Sequence, residues 1–197
     1  MANIVLFHPS IGLTVDVQDA AERLRREGHN VLAPDLLEGL TFEDGASAQK
    51  HLERIGIREF MMRAAAAVTG FPADAVYMGY SVGSVTALRF AAKKPGTLGC
   101  IAVSGAASLP ELGVESWPAA VPLQLHFASK DPWRRTDSIS ALERSVRASG
   151  AAWESFEYPC AGHLFSFASL ADHDAPSERE MWKRITAFLA RIRRPVS

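Results

Sequence analysis

Short apolar runs alternate along the chain with segments whose apolar residues recur every three or four positions. The runs Asn3–His8, Asn30–Pro34, Ala75–Tyr80, Gly99–Ser104, Val121–Phe127 and Trp153–Tyr158 are predicted strands. Several are rich in Val, Ile, Leu and Phe without strict alternation, as expected where a parallel sheet buries both faces of a strand. Between them lie amphipathic helical patterns. Val17, Ala20, Ala21 and Leu24 repeat at helical spacing from Asp16, with Gly28 as the stop. Ile57, Phe60, Met61, Ala64, Ala65 and Val68 form a second stripe after Gly56. Ile139, Leu142 and Val146 form a third, closed by Gly150, and Asp137 just before it reads as an N-cap. Ser177 and Glu180 stand in capping-box register before a last stripe of Met181, Ile185, Phe188, Leu189 and Ile192. Strand and helix alternating to the end predict an α/β chain: a doubly wound, mostly parallel sheet of about six strands with helices on both faces. No repeat or linker divides the pattern, so residues 1–197 are expected to form one domain.

Composition narrows the partners rather than the fold. Hydrophobic residues make up 48% and charged residues 22%, as in ordinary globular proteins, and the net charge is −1. No stretch of sequence collects the basic residues, so neither nucleic acid nor an anionic membrane is expected as a partner. Arg191, Arg193 and Arg194 read as basic residues at a helix C-terminus, where the helix dipole favours them, rather than as an interaction tail. Met1–Phe7 lacks the basic start and long apolar stretch of a signal peptide, and no run approaches the length of a membrane span. A cytoplasmic location is expected, with Cys100 and Cys160 reduced. No histidine pair has helical metal-ligand spacing, so no metal is expected.

In such sheets ligands bind beyond the carboxyl ends of the strands, which directs attention to the loops there. Gly79-Tyr80-Ser81-Val82-Gly83 follows the third strand and opens a helical pattern through Val85, Leu88, Ala91 and Ala92. This is the G-x-S-x-G nucleophile elbow in its strand–turn–helix setting. At ordinary Gly and Ser frequencies the five-residue pattern arises by chance in roughly one chain in fifteen of this length. The structural setting and the partner residues therefore carry more weight than the pattern alone. A serine is a weak nucleophile until a base takes its proton and a third group orients that base. Asp131 follows the fifth strand and His163 the sixth, giving the chain order serine, acid, histidine. His173, between Asp172 and Asp174, is the competing base and reads as a solvated loop residue. His126 reads as a packed strand residue, His8 as a loop-shaping one, and His29 and His51 as surface residues. The oxyanion hole is expected from the Val82 N–H and from the loop after the first strand, at Ser10 or Ile11, since Pro9 has no N–H. Leu36, Trp133, Phe165 and Phe167 are candidate apolar walls for a substrate, and Arg134 and Arg135 could attract a carboxylate. The stretch from Ser166 to Pro176 is long enough to form a small flap.

The ordered set His8-Pro9-Ser10-Ile11-Gly12-Leu13-Thr14, Ala33-Pro34-Asp35-Leu36, Gly79–Gly83, Lys130-Asp131-Pro132 and Gly162-His163-Leu164-Phe165 resembles the dienelactone hydrolase family. The resemblance runs over nearly the whole chain. It implies a compact α/β-hydrolase fold without a large cap domain, and cofactor-free carboxylic-ester chemistry. It places the nucleophile at Ser81, the acid at Asp131 and the base at His163. The best-known members use a cysteine nucleophile and carry a glutamate in the loop after the first strand. Here those places hold Ser81 and the acid-free Pro9-Ser10-Ile11. A Ser–His–Asp triad needs neither feature.

The expected function is hydrolysis of a small carboxylic ester or lactone through an acyl-enzyme on Ser81, in a monomer or small homo-oligomer. A thioesterase or acyl-transfer enzyme would use the same triad. A catalytically silent binding protein would keep the fold but be free to lose a triad member. A nucleotide binder is disfavoured, because neither G-x-G-x-x-G nor a Walker A pattern follows the first strand.

Overall fold

The computed structural model describes residues 1–192. Arg193 and Arg194 lie outside the described residues. Six strands form one all-parallel sheet: β1 (Asn3–Phe7), β2 (Asn30–Leu32), β3 (Ala75–Tyr80), β4 (Gly99–Val103), β5 (Leu123–Ala128) and β6 (Trp153–Tyr158), in the order β2-β1-β3-β4-β5-β6. The chain winds outward from β1 to β2, then returns past β1 to β3 and proceeds to the other edge. The reversal between β1 and β3 is a topological switch point, where the loops leaving the two strands diverge and open a crevice.

Seven helices cover the sheet among the described residues: α1 (Val15–Arg26), α2 (Gly45–Ile55), α3 (Ile57–Ala67), α4 (Val82–Lys93), α5 (Leu109–Leu112), α6 (Thr136–Ala148) and α7 (Ala175–Arg191). Successive residues of the fully buried β1 enter different cores. Ile4 and Leu6 pack with Val17, Ala21 and Leu24 of α1 and Met181 and Ile185 of α7. Val5 and Phe7 pack with Phe60 of α3, Leu88 of α4 and Leu142 of α6. Two apolar layers on opposite sides explain why β1 shows no polar alternation. Burying a side chain of this kind contributes about 1.5–3 kcal/mol, so β1 alone anchors both layers.

Several local expectations are corrected. The α2 helix has no counterpart in the sequence reading; Ala48 is its one buried residue, and Leu52 and Ile55 pack partly buried against the core. Its Asp44 N-cap accepts the Ser47 N–H at 2.8 Å. The short α5 was also missed. The α3 stripe is wider than its burial: Phe60 and Ala64 are buried, while Ile57 and Ala65 are exposed and Met61 is half-buried. Asp137 does not cap α6. Arg135 is the N-cap and Asp137 lies inside the first turn, where its charge still suits the helix dipole. Ser177 does not open α7 either. The N-cap is Asp174, which accepts the Ser177 N–H at 2.9 Å, because Pro176 fits the first turn and moves the start upstream. Arg191 lies in the last turn of α7 and pairs with Glu154. Among the described residues no helix is long and apolar enough to cross a membrane.

Candidate active site

The turn from β3 into α4 is built by close backbone approach. A Cβ on Gly79 would lie 2.1 Å from the Gly83 carbonyl oxygen, and one on Gly83 would lie 2.4 and 2.5 Å from the carbonyl oxygens of Phe7 and His8. Both positions therefore require glycine, and Gly83 also presses α4 against the end of β1. Gly105, after β4, is equally constrained, because its Cβ would meet the Ser81 carbonyl oxygen at 2.2 Å. Ser84, one turn into α4, pins this junction. Its buried Oγ lies 2.6 and 2.7 Å from the carbonyl oxygens of Gly79 and Val103 and accepts the Val103 N–H.

Ser81 is held in the left-handed region at φ 54°, a conformation that costs a non-glycine residue about 1–3 kcal/mol. Its hydroxyl reaches His163 Nε2 at 2.9 Å, and His163 Nδ1 lies 2.8 Å from Asp131 Oδ2. With the imidazole proton on Nδ1, the ring donates to Asp131 and accepts from Ser81. The Trp133 N–H donates to the other carboxylate oxygen, Asp131 Oδ1, at 2.8 Å. Three loops thus converge from β3, β5 and β6, as expected at the carboxyl edge of a doubly wound sheet. The Asp131 side chain is 2% exposed and that of His163 23%, so the acid is sheltered while the base faces the cleft. Gly162 permits this approach for a reason the sequence did not show. A Cβ there would lie 2.4 Å from the Asp172 carbonyl oxygen.

The residues expected to supply the oxyanion hole border the same space. Pro9, Ser10, Ile11 and Val82 line the cleft. Among the described residues the N–H groups of Ser10, Ile11 and Val82 have no protein acceptor. The loop carrying Ser10 and Ile11 is fixed at both ends. His8 is buried, with Nδ1–H donating to the Pro9 carbonyl at 2.7 Å and Nε2 accepting the Leu36 N–H at 2.9 Å. Burial lowers the His8 pKa, and this pairing uses the neutral ring. Phe42 N–H donates to the Ile11 carbonyl at 3.0 Å on the far side.

The cleft has a volume of about 730 Å³. Its apolar walls include Leu52, Val85, Leu125, Ile139, Leu164 and Leu170. Of the sequence candidates, Trp133 lines it and is 64% exposed. Leu36 does not. It is fully buried and inward of a turn in which the Asp35 carboxylate accepts the Leu37 N–H at 2.9 Å. Phe165 is also fully buried, 5.0 Å from Tyr158 between ring centroids, and Phe167 packs edge-on against Tyr80. Their neighbour Leu164 faces the cleft instead. Arg134 and Arg135 line the rim, paired with Glu157 and Glu111. Leu170, Ala171 and Asp172 of the expected flap border the opening. Ser104 was missed. It lines the cleft at φ 58°, and its buried Oγ has no partner among the described residues.

The remaining histidines are accounted for by their contacts: His29 is half-buried and accepts the Ala2 N–H at 3.1 Å, and His51 lies 3.1 Å from the Arg54 guanidinium. His126 is buried between Tyr158 Oη at 2.8 Å and Gln124 Oε1 at 2.9 Å, and burial pushes its pKa down to about 3. His173 lies 2.7 Å from Glu178. Among the described residues no group of three His, Cys, Asp or Glu side chains is placed to hold a metal ion.

Solved structures of similar shape share this architecture. A dienelactone hydrolase-like promiscuous phosphotriesterase from metagenomic libraries superposes with a TM-score of 0.77 at 18% identity, covering 98% of this chain and 87% of its own. The dienelactone hydrolase of Anabaena variabilis gives 0.64 at 22%, covering 98% and 88%. Alpha/beta hydrolase domain-containing protein 10 from mouse gives 0.73 at 11%, covering 97% and 90%. At these identities the likeness establishes the α/β-hydrolase fold. No curated protein sequence matches the chain. The profile of the dienelactone hydrolase family matches residues 1–193, nearly the whole sequence, and the chain therefore belongs to this family of hydrolases.

Proposed function

We propose that the protein is a serine hydrolase that cleaves a small carboxylic ester or lactone through an acyl-enzyme on Ser81. The observation that carries this reading is the continuous hydrogen-bond chain from Ser81 through His163 to Asp131 at the floor of an open cleft. His163 Nε2 takes the hydroxyl proton as Ser81 Oγ attacks the carbonyl carbon. The negative charge that develops on the carbonyl oxygen falls to the N–H groups of Val82 and Ser10, with Ile11 beside them. Asp131 holds the proton on Nδ1 and stabilises the imidazolium. The tetrahedral intermediate collapses, the alkoxide leaves with the proton from His163, and Ser81 retains the acyl group. Water, deprotonated by the same imidazole, then releases the acid and restores the serine. The mechanism requires no metal or cofactor.

Rapid-quench turnover of p-nitrophenyl acetate, followed by intact-mass measurement, tests the proposal. The expected result is a burst of p-nitrophenol and a protein species heavier by one acetyl group, located on Ser81 by peptide mapping. Turnover without acylation of Ser81 would refute the covalent route. A lactone, a thioester and a phosphotriester belong in the same panel, the last because a neighbour of this fold carries that activity.

A further inference from the structure

A second groove, of about 520 Å³, runs along α4 on the side of α3. Its apolar wall is the part of the α3 stripe that the core leaves uncovered, Ile57, Met61 and Ala65, together with Met62. Ile57 and Met62 are about half exposed, an unusual state for side chains of this size. Methionine suits such a wall, since its flexible thioether adapts to chains of different shape. The opposite wall is one face of α4, where Val85, Arg89 and Lys93 follow each other at four-residue spacing, with Lys94 beside them.

Two features join this groove to the catalytic cleft. Val85, one turn beyond Ser81, lines both. Arg135 of the cleft is paired with Glu111 of the groove, so a single ion pair spans the boundary. The charge is one-sided beyond that boundary. Arg58, Arg89, Lys93 and Lys94 face the groove, against Glu111 as its one lining carboxylate, and Glu111 is already taken by Arg135, Ser108 and Ser138. Among the described residues Arg58, Lys93 and Lys94 form no ion pair. From Ser81 to Lys93 the helix advances about 18 Å, at 1.5 Å per residue. An extended alkyl chain advances about 1.25 Å per bond, so that distance is roughly fourteen carbons.

We infer that the cleft and the groove form one substrate trough, and that the preferred acyl group is a long aliphatic chain bearing an acidic group at its far end. This rests on the serine-hydrolase reading given above. The ester carbonyl sits at Ser81, the methylenes pass Val85 and lie along Met61 and Ala65, and the distal carboxylate reaches Lys93 and Lys94 at the far end of α4. Hydrolysis consumes one water and yields the free diacid and the alcohol.

The test compares p-nitrophenyl tetradecanoate with the p-nitrophenyl monoester of tetradecanedioic acid. In the wild type the acid-tipped ester is expected to show at least tenfold higher kcat/KM at low ionic strength. The ratio should fall toward unity in the Lys93→Glu, Lys94→Glu double variant, whose two positions are both exposed, and in the wild type as salt is raised. Turnover of both esters with no preference for the acid tip would overturn the inference and leave the hydrolase reading standing. So would a preference that survives charge reversal. Failure to hydrolyse any ester, with Ser81 unacylated, would remove both.

Discussion

Asp131→Asn is expected to lower kcat by about 10⁴-fold while the protein stays folded. The size of the effect follows from the hydrogen bonds on the two carboxylate oxygens. Oδ1 accepts the Trp133 N–H, so the amide oxygen of an asparagine would occupy that position. The amide nitrogen is then left facing His163 Nδ1, where Oδ2 stood. It donates, so Nδ1 must accept and the imidazole proton moves to Nε2. That proton points at Ser81 Oγ, and the ring has no lone pair with which to take the serine proton. Both asparagine groups remain paired, so little stability is lost. Steady-state kinetics with p-nitrophenyl acetate, alongside a denaturant titration, separates the two quantities. A loss of less than tenfold in kcat would show that Asp131 does not set the tautomer.

Gly83→Ala is expected to damage both activity and stability, with the unfolding free energy reduced by about 3 kcal/mol or more. The added methyl would stand 2.4 Å from the Phe7 carbonyl oxygen and 2.5 Å from that of His8. Both obstacles are backbone, and both belong to the end of β1 that carries the Ser10 loop. Relief requires α4 to move away from β1, which separates the Val82 N–H from the Ser10 N–H. Gly45→Ala is the contrasting change. It lies at the start of α2 with no atom within 4 Å of the new methyl and without a positive φ. That variant should change stability by less than about 1 kcal/mol, toward greater stability. Equal Tm values for wild type and Gly83→Ala would contradict the packing account of the elbow.

That Ser81, Asp131 and His163 come together was legible because each rests on a local signal at the end of a strand. Ser81 stands between two glycines at a strand-to-helix turn, and Asp131 and His163 follow strands with clear apolar runs. The substrate walls were less so. Leu36, Phe165 and Phe167 are as apolar as the residues that line the cleft, and composition cannot tell inward from outward in a loop. An Asx turn at Asp35 and ring contacts to Tyr158 and Tyr80 decide it. The α2 helix was legible in principle, since Ala48, Leu52 and Ile55 recur at helical spacing and Asp44 three residues before Ser47 is a readable cap, yet most of its short apolar face is only partly buried. The cationic groove was invisible for a geometric reason. Arg58 comes from α3 and Arg89, Lys93 and Lys94 from α4 and its end, so no stretch of sequence is basic until the helices pack side by side.

The central claim is that Ser81 is an activated nucleophile, and its most direct test is labelling with a fluorophosphonate probe, mapped by mass spectrometry. The account predicts one adduct on Ser81 that is lost in His163→Ala, whose fold is checked by circular dichroism. Folded wild-type protein that leaves Ser81 unlabelled, or labelling that persists without His163, would contradict it.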